Sequence, residues 1–177
     1  MTYSKTAGRL MLAAVASLLL LLTNSCVPSY TLNGSAINYD IYKTIAISDF
    51  PIRASLVYPP LQQTFENELL NYVTRNTRLQ EVDSRNTDLE MSGEITGYSL
   101  SPQAVGTDAY ATETRLTITV HVKYTDNKNP ANNIDQSFSA YRQFDSSIML
   151  TDVQESLCQE ISKELVNLIF NATLGNW

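Results

Sequence analysis

From Arg115 to Tyr124 the chain reads RLTITVHVKY, with Leu116, Ile118, Val120, Val122 and Tyr124 on even numbers and Arg115, Thr117, Thr119, His121 and Lys123 between them. Successive side chains on a strand point to opposite faces, so ten residues of strict alternation predict a strand with one buried and one polar face. Similar patterns flank it. Leu89–Leu100 places Leu89, Met91, Gly93, Ile95 and Gly97 on odd numbers, and Ile134–Phe144 places Ile134, Phe138, Ala140 and Phe144 on even ones. Nearer the start, Lys43–Phe50 (KTIAISDF) predicts a further strand, and Leu79–Val82 a short one.

Two segments switch to helical spacing. Leu61, Phe65, Leu69, Tyr72 and Val73 recur every three or four residues over Leu61–Asn76, and Pro60 suits a first helical turn. Pro51, Pro59 and Pro60 break regular structure before it. At the other end Val153, Leu157, Ile161, Leu165, Leu168 and Ile169 form a second stripe. Thr151 or Asp152 is its expected cap, with Glu155 at capping-box distance from Asp152, and the pattern fades at Asn171. The order β-α-β-β-β-β-α, or one strand fewer, predicts an α+β fold. In it a largely antiparallel or mixed sheet of about four strands carries two amphipathic helices packed on one face.

The apolar run Leu10–Leu22 fits neither pattern. Its thirteen residues fall short of the about 20 that a membrane-spanning helix needs. They match the length of a secretory core, with Lys5 and Arg9 as the basic flank and Thr23-Asn24-Ser25 as the small exit. Cys26 follows, an arrangement similar to a bacterial lipoprotein signal, in which the cysteine is acylated and becomes the first mature residue. The position three before Cys26 is Thr23, where an aliphatic residue is usual, with Leu22 one step earlier. An ordinary signal peptide cut near Ser25, leaving Cys26 a plain thiol, is the alternative. The expected organisation is a signal peptide over 1–25, a lipidated N-terminus and tether over 26–40, and a single domain over 41–177.

Composition narrows the partners. Taking Lys5 and Arg9 from the 12 basic residues leaves ten against 18 acidic ones, a formal −8 for the mature part. Nucleic-acid binding needs clustered positive charge and is not expected. Adhesion to an anionic membrane surface is disfavoured for the same reason, so attachment to the membrane would come through the lipid anchor. With Cys26 acylated, Cys158 is the remaining thiol. No intrachain disulfide is then possible, and Cys158, beside Leu157 on the second helix, is expected to be buried.

Catalytic signals are few. His121 is the one histidine and lies on the polar parity of the strongest strand, without a second histidine or a CxxC pair to complete a metal site. No GxSxG, P-loop or GxGxxG occurs. The glycines of GEITGYS sit on a strand, where they mark a bulge or a close backbone approach. Glu66/Glu68 and Glu90/Glu94 read as solvated surface rather than as paired glycosidase carboxylates. No enzyme activity, cofactor or metal is expected. Arg142 breaks pattern by falling on the apolar parity of its strand. Its stem is either buried with the guanidinium at the rim, or the guanidinium meets an anion.

A lipidated cysteine, strand, helix, strand, then LEMSGEITGYSLSP, RLTITVHVKYTD, YRQFDSS and a terminal amphipathic helix resembles the LptE family, in the form found in Bacteroidota. The resemblance implies an outer-membrane lipoprotein that plugs an LptD-like β-barrel and assists lipopolysaccharide on its way to the cell surface. It also implies lipopolysaccharide contact through basic residues. By position Arg142 matches an arginine near the end of the corresponding family strand, and Arg115 and Lys123 are further candidates on the polar face. CVPSYTLNG carries no acidic stretch after the cysteine, which favours the periplasmic leaflet. The alternative is a periplasmic or surface glycan-binding or adhesion-type lipoprotein, with Tyr58 and Tyr110 as candidate exposed aromatics.

Overall fold

A computed structural model describes residues 37–56, 58–83, 86–104 and 111–175. Cys26, the signal segment, most of the tether and Tyr110 lie outside the described residues. The elements are β1 (Thr44–Ile47), α1 (Pro60–Asn76), β2 (Gln80–Glu81), β3 (Leu89–Ala104), β4 (Ala111–Asp126), β5 (Ile134–Asp145) and α2 (Leu150–Thr173), with a 3₁₀ turn at Pro130–Asn132. Five strands form one mixed sheet in the order β2-β1-β3-β4-β5. β1 runs parallel to both β2 and β3, while β3, β4 and β5 are antiparallel. The expected α+β architecture is what forms.

Alternation on β4 turns directly into burial. Leu116, Ile118, Val120, Val122 and Tyr124 are all at most 1% exposed, and each apolar side chain so buried contributes roughly 2 kcal/mol. Across from them pack Leu61, Phe65, Leu69 and Val73 of α1, and Leu157, Ile161, Leu165 and Ile169 of α2. The helices meet through Tyr72 and Phe170, whose rings stand edge to face at 5.0 Å between centroids.

On β3 the odd-numbered apolar parity holds only to Ile95. A register shift between Ile95 and Gly97 then moves the buried side to even numbers, so that Tyr98 is buried. One extra residue in a strand reverses the facing of everything after it. Gly93 serves a different purpose. A Cβ there would lie 2.1 Å from the His121 carbonyl oxygen and 2.6 Å from the Phe50 ring, so the close approach of β3, β4 and Phe50 requires a residue with no side chain. Both readings of the GEITGYS glycines are realised, one at each position.

Phe50 is held in turn by Glu66, whose Oε1 accepts its backbone N–H at 2.7 Å and the Gln62 amide at 3.0 Å. Glu66 is therefore an anchor for the β1–α1 connection, not the solvated surface expected of it. The prolines after β1 end regular pairing, although Ile52 still bridges to Ile95.

α2 starts earlier than its polar residues suggest. Met149 occupies the cap position without a side-chain hydrogen bond, and Leu150 is the first helical residue. Thr151 Oγ1 donates to the Asp152 carboxylate, and Asp152 sits inside the first turn, where its charge favours the positive end of the helix dipole. The helix also outlasts its apparent fading at Asn171. Thr173 and Leu174 are buried, and Thr173 Oγ1 donates to the Ile169 carbonyl at 2.7 Å. Leu168, expected in the stripe, is 40% exposed, while Cys158, Ser162 and Val166 are buried in it.

Candidate functional site

The helices cover one side of the sheet, and no described element packs on the other. That open side carries the polar parity of three strands. On β4 it shows Arg115, Thr117, Thr119, His121 and Lys123, and on β5 Asp135, Ser137, Ser139 and Tyr141. Hydroxyls pair across it, with Thr119 Oγ1 and Ser139 Oγ 2.8 Å apart.

Arg115 and Lys123 share this face but do not converge. Eight residues apart on one strand, they are separated by roughly 25 Å at strand rise. Arg115 stacks on Tyr141, its guanidinium carbon 4.2 Å from the ring centroid. Arg115 Nε is buried and has no hydrogen-bond partner among the described residues, while Tyr141 is 49% exposed. A guanidinium lying over an aromatic ring is attracted by the ring's negative face and keeps its outer N–H groups in plane. This pair can take an anionic group bearing a flat or sugar-like surface. Tyr141 was not among the candidate residues. Its signal is present in sequence only as an aromatic on the polar parity of β5, and the stacking depends on strand register.

Lys123 stands at one wall of a concavity of about 1050 Å³, with Asp49, Glu81, Asp83 and Glu90 also lining it. One ammonium among four carboxylates makes this end of the face electronegative.

Arg142 is on the opposite, helix-covered side. Its Nε donates to Glu160 at 3.0 Å, and its Nη1 donates to Glu164 and, at 2.8 Å, to the Tyr141 carbonyl. Both carboxylates belong to α2, so the guanidinium ties the edge of the sheet to the last helix. The Glu164 hydrogen bond raises the guanidinium pKa above its ordinary value, with partial burial opposing. The anion that Arg142 meets in this structure is supplied by its own chain.

His121 lies between Asp135, 2.9 Å from Nε2, and Ser137, 3.3 Å from Nδ1. The three residue types are those of a hydrolase triad. Here Asp135 and Ser137 are exposed side chains two apart on one strand of an open face, which supplies no water-excluded pocket for an oxyanion. The cluster is a cross-strand surface contact. Among the described residues no group of three His, Cys, Asp or Glu is arranged to hold a metal, and no helix is long and apolar enough to cross a membrane.

Cys158 is buried, and burial pushes its thiol up to about 11 despite a hydrogen bond with Tyr98. Tyr98 also receives a hydrogen bond from Gln154. Tyr58 is half-buried against the core, and does not present the exposed ring expected of it.

The family model for lipopolysaccharide-assembly proteins named LptE matches residues 42–173. The chain belongs to the LptE family. The match runs from just before β1 to the last residue of α2, so it takes in the whole sheet, both helices and Arg115, Lys123 and Arg142. LptE is an assembly family, and this chain is a lipopolysaccharide-assembly protein in that general sense. Among solved structures, the hypothetical protein CT253 from Chlamydia trachomatis is similar at 11% identity and a TM-score of 0.51, covering 76% of this chain and 99% of that one. The shared property is the fold. Rare lipoprotein B from Shewanella oneidensis is similar at 13% identity and a TM-score of 0.49, covering 72% and 92%. A minor lipoprotein from Acinetobacter baumannii gives 18% and 0.47, covering 73% and 90%. No curated protein matches the chain.

Proposed function

We propose that this LptE-family chain is acylated at Cys26, resides in the periplasmic leaflet of the outer membrane, and plugs an LptD-like β-barrel during lipopolysaccharide transport to the cell surface. The observation that carries this reading is the family match across 42–173, on a domain whose sheet has one side left open and polar. A wide barrel encloses a polar, water-filled lumen, and a hydroxyl-lined face enters such a space without burying unpaired groups.

Lipopolysaccharide contact, in this reading, falls first to Arg115 on its Tyr141 platform. Lys123 adds charge only within an acidic concavity. Arg142 joins only by exchanging Glu160 or Glu164 for a phosphate. The second reading, a glycan-binding lipoprotein, draws on the same Arg115–Tyr141 pair, since an exposed ring beside a guanidinium also suits a sugar.

Affinity purification of the tagged, acylated protein in mild detergent, with mass spectrometry of its companions, separates the two. A stoichiometric large outer-membrane β-barrel is expected. Recovery of the protein alone, or with glycan-uptake proteins, would overturn the plug reading in favour of the second. Replacement of Cys26 by Ala should release the protein from the membrane fraction; persistence there after salt washing would contradict acylation at Cys26.

A further inference from the structure

The two edges of the sheet differ. One ends in β2, which is two residues long, Gln80–Glu81. The other ends in β5, twelve residues from Ile134 to Asp145, paired with β4 on one side and with no described strand on the other. An unpaired edge presents a row of main-chain N–H and C=O groups and is a template for another chain. Proteins blunt such edges with short strands, lysine, proline, bulges or inward-pointing charges. β2 is blunted by its length. β5 (IDQSFSAYRQFD) contains no lysine and no proline, and its register with β4 runs unbroken from Tyr124↔Ile134 to Glu113↔Asp145. Its one inward-pointing charge is Arg142, whose Nη1 donates to the Tyr141 carbonyl. That guard stands at one end and leaves Ile134–Ala140 clear.

We infer that the β5 edge over Ile134–Ala140 is a docking site for an extended segment of a partner chain, which adds a sixth strand by main-chain hydrogen bonding. Resting on the plug reading, the occupant is a segment of the barrel protein. A closed barrel wall has no free edge to offer, so the added strand comes from a loop or arm outside that wall. Side chains of β5 state its character. Its polar side continues the row of Ser137 and Ser139, and its other side packs beside half-buried Phe138, so the segment alternates small polar with apolar residues. Asp135 is 65% exposed in its side chain at one end. At the other end Glu160 and Glu164 are balanced by Arg142 and Lys163, which line the same depression. A basic residue at the Asp135 flank of the segment therefore meets an exposed carboxylate.

Hydrogen exchange on the full-length chain, alone and in complex with its co-purified barrel, tests this. Edge-facing amides across 134–140, every second one, should slow by at least about tenfold in the complex, with Gln80 and Glu81 unchanged. A proline pair makes the test specific. Of the adjacent exposed residues Gln136 and Ser137, one directs its N–H toward β4 and the other away, and proline is tolerated only at the second. Whichever of Gln136→Pro and Ser137→Pro keeps the parent melting temperature should reduce barrel recovery about tenfold or more. Full recovery with that variant, or β5 exchange unchanged while the barrel is bound, overturns the docking site and leaves the plug reading standing. Protection by a second copy of this chain in place of the barrel also overturns it. A purification without any barrel removes the plug reading, and this inference with it.

Discussion

Between Leu116 and Tyr124 a single strand carries two unlike surfaces. Its even side chains are sealed under α1 and α2, every one at most 1% exposed. Its odd side chains meet a tyrosine, two serines and an aspartate on β5 and face away from both helices. The first surface is specified by volume, because a packed interior penalises the loss or gain of a single methylene. The second is specified by position alone, since nothing described packs on it. Substitution costs stability on the covered side. On the open side it leaves the fold and changes what the protein meets.

Where the two surfaces are forced together the penalty should be largest. Gly93→Ala puts a Cβ against the His121 carbonyl and the Phe50 ring. Neither a ladder carbonyl nor a core ring can withdraw cheaply, and a loss of about 3 kcal/mol or more is expected in denaturant unfolding. Wild-type stability would show that β3 and β4 separate more freely than their register implies. Next comes the covered face itself. Ile118→Ala should cost about 3 kcal/mol with an unchanged denaturant m-value.

Arg142→Glu belongs to the covered side because of what it meets. A third carboxylate would take the place of a guanidinium held by two, at an expected cost of about 1–2 kcal/mol after solvent screening, relieved by raising salt. Arg142→Met should cost less, since it removes the attraction without adding repulsion. Equal melting of the two variants would show that the Glu160 and Glu164 contacts contribute packing rather than charge.

Acid reaches the sheet margin through Asp88. Its carboxylate accepts the Lys43 backbone N–H at 2.8 Å and is paired with Lys128 at 3.1 Å. The Lys43 hydrogen bond, against some burial, holds its pKa at about 2. A carboxyl depressed in the folded state adds stability above its unfolded pKa of about 3.8, and that stability fades as pH falls through 2. Relative to Asp88→Asn, the wild type should therefore lose about 1 kcal/mol between pH 4.5 and 2. A pH-independent difference would rule this out. Smallest of all, Thr119→Ala on the open face should stay within about 0.5 kcal/mol.

Legibility followed the same division. β4 could be read residue by residue because burial on one side imposes period two. β3 could be read only to Ile95, because a bulge leaves no mark in residue type beyond a glycine that has other uses. On α2 the polar residues misplaced the start. Thr151 and Asp152 look like caps, yet the chain turns into the helix at Met149 with no side-chain cap. The end was hidden by Asn171, although Leu174 buries and holds the last turn. Arg142 stood out by parity, but its partners lie 18 and 22 residues away on another element. Tyr141 under Arg115 depended in the same way on register, which one sequence does not reveal.

The division between the two faces is tested most directly by melting and barrel co-purification measured together on Ile118→Ala and Ser139→Trp. Ile118 is fully buried and Ser139 lies across from Thr119 on the open face. The expected result is a melting temperature lowered for Ile118→Ala with barrel recovery kept below it. For Ser139→Trp the melting temperature should be unchanged and barrel recovery lost. The reverse pairing, or a Ser139→Trp chain that melts early and still brings down the barrel, would contradict the assignment of stability to one face and partnership to the other.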